Sequence, residues 1–243
     1  MKVVESILTK NPCYKVGKTI TVKGLMLHSV GCPQPSAMVF IKNWNSESYT
    51  SSCVHGFIDA NDGTVYQTLP WTHRGWHGGG SSNNTHIGVE MCEPGCIKYT
   101  SGSNFTCSDE ASAKAAVKRT YDAAVELFAM LCEKYGLNPM TDICSHKEGC
   151  VKGIASNHGD PEHLWTQLKT GYTMDTFRKA VKDKMSESKL DNAPASWSKE
   201  AVEWAVKNGL MSGDSTGNLM LHSPLTREQF CVMLKRFYDA FCK

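Results

Sequence analysis

Three histidines, a cysteine and an aspartate crowd the segment SHKEGCVKGIASNHGDPEHLW, residues 145–165, which shows neither helical nor strand periodicity. Imidazole, thiolate and carboxylate are the side chains that bind zinc. A catalytic zinc takes three of them and keeps a fourth position for water, whose pKa falls to roughly 7. His146 and Asp160, joined by His28 from LMLHSVG, would meet that need with two imidazoles and one carboxylate. Cys144 is a rival ligand, because strand alternation puts it on the same face as His146. Cys150 and His163 are rivals from the same neighbourhood. Each residue alone has a plainer reading, since a strand-end histidine is usually a hydrogen-bonded part of the scaffold and Asp-Pro usually a turn.

The elements that must position these groups read as a mixed α/β body. KTITVKGLMLHS is expected to be a buried strand ending near His28, and SAMVFIKNWN a short helix after the Pro-rich CPQP. CVHGFID, the ANDGT turn and VYQTLP form a hairpin signal, while HIGVEMCE and TDICSH are further short β-rich runs. The longest helix is expected to be capped by Ser108, to carry Asp109 and Glu110 in its first turn, and to stop at Gly136. Its stripe of Val117, Tyr121, Ala124, Phe128, Leu131 and Tyr135 is core packing. Strands interleaved with helices favour an α/β fold, a central mixed β-sheet flanked by helices. His28, Glu90 and His146 then lie at or near the C-terminal ends of strands, where loops collect polar chemistry.

Composition narrows the function classes. The chain has 243 residues, 41% hydrophobic and 21% charged, enough for a substantial core, and a formal charge of +2 that gives no electrostatic reason to expect nucleic acid or an anionic membrane as partner. The N-terminal MKVVESILTKNPCYKVGKTI lacks the apolar core of a signal peptide, so synthesis in the cytoplasm without export is expected. Eleven cysteines without paired C-x-x-C spacing read as reduced thiols rather than a zinc ribbon, although Cys92 and Cys96 in CEPGC could bridge outside the cell.

LMLHSVG, WHGG, IGVEMCEP, SHKEG and NHGDPEHLW, in that order, resemble the zinc-dependent N-acetylmuramoyl-L-alanine amidases of phage-lysin and peptidoglycan-recognition type, over about residues 20–180. The resemblance implies an α/β fold with a zinc-bearing groove. It also implies hydrolysis of the amide joining the lactyl group of N-acetylmuramic acid to the L-alanine of the stem peptide. Position by position it makes His28, His146 and Asp160 the zinc ligands and Glu90 the acid–base residue. His158 occupies the place of an oxyanion donor where relatives usually carry lysine, so its charge at neutral pH departs from the pattern. His77 and Trp76 in GWHGG, with Asn157, are expected to meet the substrate. His55 is a candidate for supporting the ligands, and His73 and His86 are expected at the surface or in turns. Plainer readings are an exposed carboxylate for Glu90 and a solvated turn residue for His158.

The chain divides into residues 1–183, a linker over 184–195, and a helical module over 196–243. In the module Ser198 is expected to cap a helix ending at Gly209, GDSTGN to turn, and Thr226 with Gln229 to form a capping box. Phe230, Met233, Leu234, Phe237 and Phe241 follow as an apolar stripe. Trp204, GLMSGD and LTREQF resemble a single S-layer homology repeat, which implies targeting to a secondary cell-wall polymer. Self-association through the tail and a structural cap are alternatives. The combined expectation is a phage or prophage endolysin acting on peptidoglycan after release. The alternatives are a recognition module that binds without cutting, a zinc peptidase cutting within the stem, and a cytoplasmic amidase recycling wall fragments.

Overall fold

The computed structural model describes residues 1–187, 190–215 and 217–242. Ser188 and Lys189 of the expected linker, Thr216 of the expected turn, and Lys243 lie outside the described residues. Two compact units are present, Met1–Met185 and Ser186–Lys243.

The first unit is built on a six-stranded sheet of β1 (Val3–Glu5), β2 (Gly24–Ser29), β3 (Gly56–Ile58), β4 (Val65–Gln67), β5 (His86–Met91) and, later in the chain, β8 (Ile143–Ser145). Their spatial order is β1-β4-β3-β5-β2-β8, parallel throughout except for the β3/β4 hairpin. A separate two-stranded hairpin pairs β6 (Ile97–Ser101) with β7 (Asn104–Cys107). The helices are α1 (Pro12–Val16), α2 (Ala37–Trp44), α3 (Glu110–Tyr135), α4 (Pro139–Asp142), α5 (His146–Val151), α6 (Glu162–Gln167) and α7 (Met174–Glu187).

Side chains alternate across a strand, so the sheet has two faces to cover. Leu25, Leu27, Ile87, Val89 and Met91 share one core with Val117, Ala124, Phe128 and Leu131 of α3, Trp165 of α6 and Phe177 of α7. Each such fully buried large side chain contributes about 1.5–3 kcal/mol. Phe57 of β3 faces the second core with Ala37 and Ile41 of α2, and Phe40 stacks on it at 5.1 Å. β2 and β5 are both interior strands, hydrogen-bonded on two sides, which is why they can hold polar groups rigidly.

Three local expectations change. The strand leading to His28 begins at Gly24, while Thr19 makes only an isolated bridge to His73. The cap of α3 is Asp109, whose side chain accepts from the Ser112 N–H, and Ser108 instead donates its hydroxyl to the Cys96 carbonyl. Residues 145–165 are not irregular: α5 and α6 both lie there, too short for periodicity to reveal them. What starts α5 is a capping box, with Ser145 accepting from the Glu148 N–H and the Glu148 carboxylate accepting from the Ser145 N–H.

The second unit holds α8 (Lys199–Lys207) and α9 (Arg227–Phe241). Thr226 and Gln229 form the capping box of α9, and Gly209 follows α8 in the left-handed conformation. Ser198 precedes α8 without a side-chain capping bond and donates to the Ala195 carbonyl instead. Asp191 accepts from His222 at 2.6 Å, Arg236 donates to the Leu210 carbonyl, and Trp204 stacks on Phe241 at 5.5 Å. Among its described residues Leu210 is the one buried hydrophobic side chain, while Phe230, Leu234, Phe237 and Phe241 of α9 stay exposed. The helix α7 runs to Glu187, into the first residues of the expected linker.

Candidate active site

The parallel register of β2 and β5 puts His28 directly beside Glu90. With their leucine, isoleucine and valine neighbours pointing to α3, both project from the opposite face. His146 is the first residue of α5, held by the capping box just beyond β8. Asp160 comes from the following loop. Its main-chain carbonyl accepts from the Lys147 N–H at 3.3 Å and its carboxylate from the Ser29 N–H at 3.3 Å.

These elements bring His28, His146 and Asp160 together. Their ligand atoms lie within 4.8 Å of one another and all three residues are buried. The two Nδ1 atoms face each other at 3.0 Å, and Asp160 stands 3.4 Å from His28 Nδ1 and 3.6 Å from His146 Nδ1. Among the described residues this is the one cluster of histidine, cysteine and acidic side chains with metal-holding geometry.

Outer hydrogen bonds fix which nitrogen each ring presents. His77 Nε2 faces the His86 carbonyl at 3.0 Å and must carry the proton there, leaving His77 Nδ1 as acceptor for His28 Nε2 at 3.0 Å. His28 Nδ1 is then a lone pair. His146 Nε2 donates to the Ser156 hydroxyl at 3.1 Å, which frees its Nδ1 in the same way. With both rings neutral, two imidazole nitrogens and a carboxylate thus converge, a donor set that suits a divalent cation and fits zinc in number and kind.

Electrostatics divide the rings: at His28 burial, which lowers its proton affinity, is outweighed by the hydrogen bond to Asp160 and the charges of Glu90 and Asp160, which raise it. Burial, with neighbouring His28, pushes His146 down to about 4, and burial holds His77 well below the ordinary histidine range. Glu90 is pushed up to about 8, first by burial and then by the Asp160 and Glu93 carboxylates, against the opposing pull of His28. Its Oε2 has no hydrogen-bond partner although buried. An orphaned carboxylate oxygen beside a metal-type triad is expected of a group reserved for proton transfer.

The triad opens into a groove of about 960 Å³ that Trp44, Trp76, Glu90, Tyr99, Asn157 and His158 help to line. His158 is exposed; its Nδ1 lies 3.0 Å from the Ser156 hydroxyl and its ring packs 4.3 Å from that of His146. Both ring nitrogens of His77 are engaged within the protein, so only its ring edge reaches the groove. His55 is fully buried, accepts from the Gly88 N–H and donates to the His73 carbonyl, edge-on to His77. His73 and His86 are half-buried, and His86 opens β5.

The rival ligands are spent elsewhere. Cys144 is buried but stands outside the cluster of ligand atoms, the Cys150 thiol points to Asn157 at 3.9 Å, and His163 Nε2 sits 2.7 Å from the Tyr99 hydroxyl. Cys92 and Cys96 are both free thiols. Sequence reasoning missed Ser156, Glu93 and Tyr99. Glu93, three residues beyond Glu90, was the only one with a signal, a second carboxylate at the same strand exit.

The model of the family described as N-acetylmuramoyl-L-alanine amidase matches residues 18–163, and that of the S-layer homology domain matches residues 190–231. Solved structures agree in fold. The hydrolase AmiA of Staphylococcus aureus, solved with its ligand, is 19% identical over 76% of this chain and 83% of its own, with a TM-score of 0.56. The PlyG catalytic domain is 16% identical over 80% and 100%, TM-score 0.53, and the XlyA catalytic domain 20% identical over 74% and 99%, TM-score 0.50. Among curated proteins no sequence match is significant. With a family model spanning most of the first unit and the His28, His146 and Asp160 triad at its centre, this chain belongs to the N-acetylmuramoyl-L-alanine amidase family, as a peptidoglycan amidase followed by an S-layer homology domain.

Proposed function

We propose that the chain is a zinc-dependent endolysin of phage or prophage origin, which cuts the amide between the lactyl group of N-acetylmuramic acid and L-alanine. The observation that carries the catalytic part is the convergence of two imidazole nitrogens and a carboxylate beside the unpartnered Glu90 oxygen. His28, His146 and Asp160 would hold the zinc, which when bound supplies Lewis acidity toward the scissile carbonyl and toward water. Glu90 takes the proton of the attacking water and passes it to the departing alanine nitrogen, help worth about 10²–10⁴ in rate. Its raised proton affinity suits both halves of that task.

The Ser156 hydroxyl donates to the Gly78 carbonyl at 3.3 Å and lies 3.0 Å from His158 Nδ1, which holds the His158 ring at the groove, where its Nε2 would face the oxyanion as donor when the ring is protonated. Loss of one preorganised donor of that kind costs roughly 3 kcal/mol. Trp76 and Asn157 line the groove as substrate contacts, and His77 adds its ring edge while orienting His28.

The endolysin reading draws support from the pairing of an amidase with an S-layer homology domain, because an enzyme recycling internal wall fragments has no use for a wall anchor. The second unit would bind a secondary cell-wall polymer, and the exposed apolar side chains of α9 would drive its self-association. Mass spectrometry of products released from purified cell wall tests the chemistry. Stem peptides with a free alanine amino terminus, lost on chelation and restored by zinc, are expected. Cuts within the stem would mean a peptidase, and tight binding without new amino termini a recognition module.

A further inference from the structure

We propose that Glu93 is a positioning residue, a buried clamp that sets the geometry of His28 and Asp160 and fixes the β6–β7 hairpin as one wall of the groove. The inference rests on the reading of His28, His146 and Asp160 as zinc ligands. Glu93 is fully buried, an expensive place for a carboxylate unless every lone pair is used. Its Oε1 accepts from the Ser29 hydroxyl at 2.7 Å and the Gly31 N–H at 3.1 Å, and its Oε2 from the Tyr99 hydroxyl at 2.7 Å.

These donors come from two separate segments of the chain. Ser29 follows His28 in β2, and its own N–H holds the Asp160 carboxylate at 3.3 Å. Tyr99 lies on β6, and its oxygen accepts from His163 Nε2 at 2.7 Å. His163 stands on α6, where its N–H donates to the Gly159 carbonyl next to Asp160. One carboxylate therefore ties the chain after the first ligand, the loop that carries the third, and the hairpin. Glu93 touches none of the ligand atoms itself, so its effect is exerted through Ser29 and through the Tyr99–His163 link.

The test is a chelator-competition titration of zinc on the full chain, run beside steady-state kinetics. Glu93→Ala is expected to weaken zinc binding by about 10–100-fold, the usual cost of losing an outer partner of a metal site. Glu93→Gln keeps an acceptor for Ser29 and Gly31 and is expected to recover most of that loss. Tyr99→Phe should leave zinc affinity within about threefold of wild type but raise KM, because the hairpin wall loses its anchor while the Ser29 arm remains. A control, Gln167→Ala, removes the other tie between hairpin and α6 without touching Glu93. Zinc affinity of Glu93→Ala within about threefold of wild type overturns the proposal, as does an equal loss in Gln167→Ala. Should Glu93→Ala fail to fold, Ser29→Ala carries the same test, with a loss of about 3–10-fold expected and an unchanged affinity fatal. A wild-type chain no better at binding zinc than His28→Ala overturns the zinc reading itself, a result the same titration separates from a failure of the clamp.

Discussion

Gly88→Ala is the substitution that interrogates the outer shell most sharply. Gly88 lies in β5 opposite Met26, and a Cβ added there would fall inside the imidazole of His77. Nor can that ring move aside freely. Asn83 Oδ1 accepts from the His77 and Gly78 N–H groups at 2.9 and 2.8 Å, and a Cβ at Gly75 would already meet the ring at 2.9 Å. Overpacking of this kind costs about 1–3 kcal/mol. Displacing His77 also removes the acceptor that keeps the His28 proton on Nε2, and with it the Nδ1 lone pair. Zinc affinity should fall about 10–100-fold. The assay is a double-mutant cycle with His77→Ala, reading urea stability of the zinc-free chain and zinc affinity by chelator competition. In the His77→Ala background the alanine at 88 has room, so its stability cost should largely vanish and zinc affinity should stay at the level of His77→Ala alone. Additive costs in both readouts would refute the tautomer argument.

Glu90→Gln should lower kcat by about 10²–10⁴ while leaving zinc affinity near wild type; unchanged turnover would remove Glu90 from the chemistry. The same variant carries a pH prediction for the zinc-free chain. Because burial raises Glu90 from 4.5 to about 8, the stability it allows is fully present below 4.5 and is lost as pH climbs through about 8. Glu90→Gln should thus be close to neutral in urea unfolding at pH 4 and stabilising at pH 9. Phe128→Ala, deep in the α3 core, should cost about 3–5 kcal/mol of stability yet leave zinc affinity untouched below the unfolding transition, as equilibrium dialysis would check. For the second unit, Leu234→Glu with Phe237→Glu should lower the mass measured by sedimentation equilibrium if α9 mediates self-association; an unchanged mass would leave wall binding as its role.

Much of this protein was legible before any coordinates. Alternation in IGVEMCE and the turn residues of ANDGT foretold β5 and the β3/β4 hairpin, since a period of two needs only local spacing. The long apolar stripe of α3 and its Gly136 stop were equally local signals. The ordered motifs brought His28, Glu90, His146 and Asp160 forward as chemical types. Chain spacing alone could not choose between Asp160 and its rivals Cys144, Cys150 and His163, because closeness in sequence says nothing about direction. Only the folded sheet did, by setting β2 beside β5 and β8 so that Asp160, and none of the three rivals, comes within ligand distance of His28 and His146. The presented nitrogen of each ligand was settled further out, by a carbonyl on His86 and a hydroxyl on Ser156. Tyr99 was invisible, and Glu93 showed only as a second carboxylate at the strand exit, for the same reason: the hydrogen bonds that give them their roles span up to 64 residues, and a long-range pairing leaves no periodic trace in the chain that makes it.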